Sequence, residues 1–300
     1  MFKRNAHIDN ILSGDPLRWH IEQGFATQYL NKYLSNIEIA SSSPSTVAVF
    51  ERLKSINGPV VLDMKGATVG VWEVMNPRNS GNIPPNSILQ LNLLGPMMAN
   101  GDMCTWGMDE FEQAIMMANG HPNISGIFIR ANTGGGESLA GQILHNAIKE
   151  SKKAVVVYAD TLASAGIHGT LASDEIIASG QATRVGSIGT YVSVDKEIAK
   201  WYSENVDDIY SEVSDDKNAE WRAYLKGDTK PLQTIVTQNA KLFQQEVTKY
   251  RPLNYDKETT LRGGMFFAQD AKKRGLIDGV GTLGYAMSRL EANIKRRNNS

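Results

Sequence analysis

From residue 87 onward the chain keeps one rhythm: SILQLNLLG, DEFEQAIMMANG, SGIFIRAN, LAGQILHNAIKES, KAVVVYAD. Apolar runs of strand length alternate with helix-like stretches of about three turns. Strands apolar on both sides need cover on both faces, and a helix between successive strands returns the chain to the same edge, so the strands run parallel. The rhythm continues through a short segment after Ser164, then DEIIAS and RVGSIGTYVSV. A polar, helix-rich stretch follows from about 195 to 250, then LRGGMFFAQDAKKRGLIDGVG and a C-terminal helix. The expected fold class is α/β, with a solvated tail over 291–300 that ends in KRRNNS.

Residues 1–86 have a different grain and read as an N-terminal α+β extension. Asp15 and Pro16 look like an N-cap and first helical position, and Leu17, Ile21, Phe25 and Tyr29 recur every fourth residue, which predicts a helix to about Leu34. Ser45 can cap a second short helix with Val47, Phe50 and Leu53. Strand-like PVVLDM and TVGVWEV precede the loop MNPRNSGNIPPN, whose prolines make it the best boundary. The domain expectation is therefore 1–86, 87–290 and a basic tail at 291–300.

Composition removes several function classes. With 31 basic and 32 acidic residues the formal net charge is -1, so no global field draws the chain to nucleic acid or an anionic membrane. Cys104 is the single cysteine, which excludes an intramolecular disulfide and a cysteine-based zinc site and fits a reducing compartment. The N-terminus has no apolar leader core and no segment reaches about 18 uninterrupted apolar residues, so no membrane span and a cytoplasmic location are expected. No cofactor or metal is expected: the glycine-rich stretch matches neither dinucleotide nor P-loop spacing.

Two stretches concentrate chemistry. RANTGGGESLAG places Gly134, Gly135 and Gly136 between a strand end and a helix start, where backbone amides and the helix's positive end favour negative charge. TLASAGIHGTLAS places Ser164 after the next strand, so both lie at carboxyl ends of neighbouring parallel strands, where ligands of open sheets sit. Read alone, Ser164 is a capping serine; beside the glycines it is a candidate nucleophile, with the Ala165 amide as a candidate oxyanion donor. A serine needs a base. His168 lies four residues on and shares a helix face with the serine rather than converging on its hydroxyl; a lysine works only if burial holds it neutral.

At this point the residues resemble a known family. NTGGG, ADTLASAGIHGTLASDEIIAS, RVGSIGTYV and GGMFFAQDAKKRGLIDGVG, in that order over roughly 87–285, are similar to the signal peptide peptidase A family (S49) of serine peptidases, and in particular to its phage type associated with prohead or capsid maturation. The resemblance implies a fold shared with Clp proteases and crotonases, built of repeated ββα units on a parallel sheet, a Ser-Lys dyad and a homo-oligomer. It puts the nucleophile on Ser164, the oxyanion donors on Gly135 and Ala165, and a supporting hydroxyl on Ser187. The family lysine follows the serine by about fifty residues, which points to Lys217, with Lys226 and Lys230 as fallbacks.

The sequence departs from the family at Gly134, where proline is usual, and at Ile167, where an aromatic residue is usual. Asp215 and Asp216 beside Lys217 favour the protonated amine. The methionines of GPMMANGDMCTWGM read as packing or as an apolar groove wall. The implied function is a serine endopeptidase acting on a peptide or protein substrate, such as a phage capsid or scaffold protein. The alternatives are a bacterial cytoplasmic protease of the same family, an inactive scaffold of the same fold, and a crotonase-like acyl-CoA enzyme, for which no acidic catalytic residues or adenine pocket are visible.

Overall fold

The computed structural model describes residues 19–21, 58–63, 65–69, 83–101 and 105–299. The helices expected within 22–34 and 45–53 lie outside those residues, as does Cys104. Strands β1 (Trp19–Ile21), β2 (Val60–Leu62), β3 (Thr68–Val69) and β4 (Ser87–Leu94) come first. Then follow α1 (Met108–Gly120), β5 (Ile124–Thr133), β6 (Gly135–Glu137), α2 (Ser138–Lys149), β7 (Ala154–Ala163), α3 (Ala165–Thr170), β8 (Glu175–Ala178) and β9 (Arg184–Gly186). The last part holds α4 (Lys196–Asn205), α5 (Ala219–Leu225), α6 (Lys230–Tyr250), α7 (Lys257–Thr260), β10 (Met265–Phe267), α8 (Ala268–Lys273), β11 (Gly279–Val280) and α9 (Leu283–Asn298).

Among the described residues nine strands form one sheet, ordered β10-β9-β7-β5-β4-β2-β3, with β8 on β7 and β11 on β8. The pairs from β4 through β5 and β7 to β8 and β9 are parallel, as the βα rhythm requires. Strand β7 changes neighbour along its length: Val156 to Ala159 pair with β8, and Thr161 to Ala163 pair with β9. The carboxyl end of β7 therefore lies against β9, and its earlier half lies against β8.

Alternation along the central strands fills both faces. Val155, Val157 and Ala159 join Leu89, Leu91, Ile127 and Ile129 under α1, α2 and α6, where Phe111, Ile115, Leu144, Phe243 and Val247 pack. Val156 and Phe128 point the other way, against Ala286 and Leu290 of α9. Burying one side chain such as Phe128 stabilises by roughly 1.5–3 kcal/mol. Nearer the strands' carboxyl ends that second face turns polar, and Gln90, Asn92, Arg130, Tyr158 and Asp160 line a groove of about 370 Å³ with Val60 and Leu62.

Four readings change at this level. Trp19–Ile21, expected inside a helix, is extended and pairs antiparallel with β6; an aromatic and a β-branched residue suit a strand once a partner edge supplies hydrogen bonds. Strand β2 pairs with both β3 and β4, so the described Val60–Leu62 and Thr68–Val69 extend the main sheet across the boundary expected at 86. RVGSIGTYVSV leaves the sheet at Gly186, because Ser187 turns into the left-handed region at φ 55. The expected tail is the last turns of α9, where Arg297 and Arg296 reach Asp174 at 2.9 and 3.2 Å. Earlier in the same helix Arg289 grips Glu175 with two bonds of 2.5 and 2.7 Å, and Asn293 adds a third of 2.9 Å. Burial alone would push the Glu175 carboxyl up, and these bonds reverse that, holding it below its ordinary range. No helix of the described residues is long and apolar enough to cross a membrane.

Candidate active site

Ser164 stands between the end of β7 and the start of α3, at φ 54 and ψ -120. A residue with a Cβ pays about 1–3 kcal/mol to hold such a backbone. The ordinary explanation for a serine here, capping the helix, does not apply: its side chain makes no cap hydrogen bond, and a cap residue has extended backbone. The conformation is held from outside. The Ser164 N–H donates to the Gly186 carbonyl at 2.9 Å, and its own carbonyl accepts from His168 N–H at 3.0 Å. The residue is 1% exposed, among Ala163, Ala165 and Gly166. Small neighbours are required there, since a Cβ on Gly166 would lie 2.5 Å from Thr133 Cγ2.

Ser187 sits beside it on the adjoining strand. Register pairs Ala163 with Gly186, so the residues that follow, Ser164 and Ser187, leave their strands together. Both have positive φ. The Ser187 N–H donates to the Gly264 carbonyl at 2.8 Å, and a Cβ on Gly186 would lie 2.3 Å from that oxygen, so the GSIG and GGMFF motifs lock into one another.

The glycine turn closes the third side. Gly135 has φ 98, a conformation suited to glycine, and its N–H donates to Thr133 Oγ1 at 3.0 Å. Thr133 in turn donates that hydroxyl to the Gly95 carbonyl at 2.6 Å. Beyond the turn the chain makes a short strand that the sequence did not suggest, β6, backed by Met97: Met97 N–H donates to Gly135 C=O at 2.8 Å and Glu137 N–H to Met97 C=O at 2.9 Å. Gly136 must be glycine, since a Cβ would lie 2.0 Å from the Met97 carbonyl. The methionine segment thus serves the turn through its backbone. Glu137 ties the same segment down by accepting from Ala99 N–H at 2.7 Å.

Ala165 opens α3, so the helix leaves its N–H without an internal acceptor. Gly135 and Ala165 therefore differ: one amide is held by Thr133, the other is available. Ile167, which stands at the family's aromatic position, is fully buried in the main core. The His168 ring packs among aromatic neighbours, stacked 5.8 Å from His145 and tilted 5.0 Å from Phe243.

Lys217 lies elsewhere in character. It is exposed, in the turn before α5 where its N–H donates to Ser214 C=O at 3.1 Å, and no hydrogen bond joins it to Ser164. The neighbouring carboxylates are exposed as well, and the Asp215 carbonyl accepts from Arg222. Lys226 and Lys230 are also exposed. The structure therefore assembles Ser164, Ala165, Ser187 and the glycine turn, and leaves the lysine on a separate segment.

A family model described as peptidase family S49 matches residues 147–297, just over half the chain; the match contains Ser164, Ala165, Ser187 and Lys217 and begins after Gly135. MJ0651 of Methanocaldococcus jannaschii, provisionally named a protease, is 29% identical over 174 residues, 56% of this chain and 56% of that protein. The chloroplastic serine protease SPPA of Arabidopsis thaliana is 30% identical over 177 residues, 55% of this chain and 26% of that protein. The chain thus spans about half, or less, of the length of these relatives. Among solved structures a ClpP1 variant from Listeria monocytogenes aligns with 71% of this chain and 99% of its own, at 15% identity and a TM-score of 0.42.

Proposed function

The chain belongs to peptidase family S49, and from that premise we propose that it is a serine endopeptidase using Ser164 and Lys217. The observation that carries the reading is the Ser164 backbone: a buried serine held at positive φ on a strand-to-helix turn, without the capping bond that would give it a structural reason.

The chemistry follows from what surrounds it. Ser164 Oγ attacks the carbonyl carbon of a peptide bond while its proton passes to neutral Lys217 Nζ. The new oxyanion takes hydrogen bonds from the Ala165 N–H, already available, and from the Gly135 N–H once that amide gives up Thr133. The tetrahedral carbon then expels the amine, which takes the proton from Lys217; water deprotonated by the same lysine attacks the acyl group, and Ser164 Oγ leaves with that proton, restoring neutral lysine. Ser187 orients the amine from the adjoining strand end.

Neutral lysine at ordinary pH requires burial, and an exposed Lys217 lacks it. The segment around it also exposes Ile209 and Val213 at 97% and 91%. Both facts are met if copies of the chain assemble so that this segment is covered, which makes the active form a homo-oligomer. The substrate is an extended protein segment; a phage capsid or scaffold protein is what the sequence resemblance implies. The test is mass spectrometry of new chain ends, with coexpressed capsid proteins and with casein, for wild type and Ser164→Ala. Cleavage is expected from the first and none from the second at equal thermal stability; cleavage retained by Ser164→Ala moves the nucleophile elsewhere.

A further inference from the structure

Strand β6 has two edges, and one of them is already spoken for by the chain itself. Gly135 C=O and Glu137 N–H both bond Met97. Successive residues of a strand turn their polar groups to opposite edges, so the N–H and C=O of Gly136 face away from Met97. The partner on that side is His20: β1 pairs antiparallel with β6, with Trp19 opposite Glu137, His20 opposite Gly136 and Ile21 opposite Gly135. The direction of β1 carries it from the α2 side toward the glycine turn. Helix α3, which Ser164 opens, packs against the same turn.

We propose that the outer edge of β6 is the strand on which an extended peptide is laid, and that Trp19–Ile21 is its occupant in cis, competing with substrate. The proposal rests on the peptidase reading for what competes, and on the strand pairing alone for what occupies. Recognition at this edge is by backbone hydrogen bonds, so it accepts many sequences as long as they are extended. Met97 fixes Gly136 from behind at a distance that admits no side chain, which keeps the edge straight whether or not β1 is present. A competitor tethered to the same chain acts at high effective concentration, so a short strand with few bonds suffices to hold the edge.

The full-length His20→Pro variant removes the N–H that would bond Gly136 C=O and disfavours pairing at that position. Two readouts are taken on it and on wild type: amide hydrogen exchange resolved at Gly136, and cleavage of a fluorogenic peptide. Faster exchange at Gly136 is expected in the variant, with unchanged protection at Glu137. The expected kinetic effect is a KM about tenfold lower at unchanged kcat, the factor for an edge open in about a tenth of wild-type molecules. A synthetic peptide covering residues 16–25, added to the variant, should restore protection of Gly136 and raise KM again. Unchanged exchange at Gly136 overturns the proposal, and so does faster exchange with an unaltered KM. If Gly136 opens and is reprotected by the added peptide while neither protein cleaves anything, the edge is a peptide site and the peptidase reading has failed separately.

Discussion

The end of the sheet and the segment from 191 to 229 are built on opposite terms. Around Ser164 every constraint comes from within: neighbouring strand ends, glycines against carbonyls, and buried residues such as Ala165 and Ile167. The segment that carries Lys217 holds itself by surface contacts, such as Tyr202 O–H donating to Asp208 at 2.8 Å, Trp221 stacked 5.6 Å from Tyr224, and the Arg222 guanidinium 4.6 Å above Tyr210. In α4 a single residue, Ala199, is buried, and in α5 none is. One half of the proposed dyad is thus specified by the chain's own fold. The other half is displayed, with an apolar surface whose burial needs a partner.

The comparison breaks first at Lys217. Lys217→Met should lower kcat for a peptide substrate on the order of 10⁴-fold, and an exposed position predicts no change in melting temperature. Full activity in that variant would move the base to Lys226 or Lys230. Gly136→Ala tests the other half, where the added methyl meets the Met97 carbonyl. A loss of about 1–3 kcal/mol, read as a melting point several degrees lower, should accompany a large loss of cleavage. Ile209→Asp should leave the melting point within about a degree of wild type, as for most surface changes. It should shift the mass seen by light scattering toward the monomer, with activity falling in proportion. An unchanged mass would assign that surface to something other than a second copy.

The smallest expected effect concerns pH, behind the serine. His145 is buried between α2 and α6, edge-on to Tyr250 at 4.7 Å and with Nε2 3.4 Å from Glu246. Burial lowers its pKa, and the Glu246 charge opposes that only in part. The unfolded chain therefore takes up this proton first as pH falls through about 6.5, so stability is full above that value and declines below it. Urea midpoints at pH 8, 7, 6 and 5.5 should show the decline, and His145→Gln should flatten it.

Much of this was legible in residue order. Alternating apolar runs were enough for β4, β5 and β7 and the helices between them, because burial on both faces leaves a period that sequence displays. Serine and glycine turn were legible as neighbours because both follow parallel strands that pair directly. What was hidden depended on partners far along the chain. β6 exists because Met97 and Trp19–Ile21 flank it, and no local pattern in GGE announces a strand. The positive φ of Ser164 and Ser187 was hidden for the same reason, since it is imposed by Gly186 and Gly264 carbonyls and not by their own types. The end of α9 was misread as a tail because its basic residues find Asp174 more than a hundred positions earlier.

Those long reaches order events during synthesis. Ser187 is pinned by Gly264, the Ile176 amide is taken by the Asp278 carboxylate, and β8 receives its clamp only from Arg289 and Asn293. A nascent chain that has already made Ser164 still lacks all three. Contacts this distant in sequence form late, after the loop-closure cost of joining them has been met. Synthesis must therefore run past Asn293 before β8 and the strand ends around Ser164 can take their final shape.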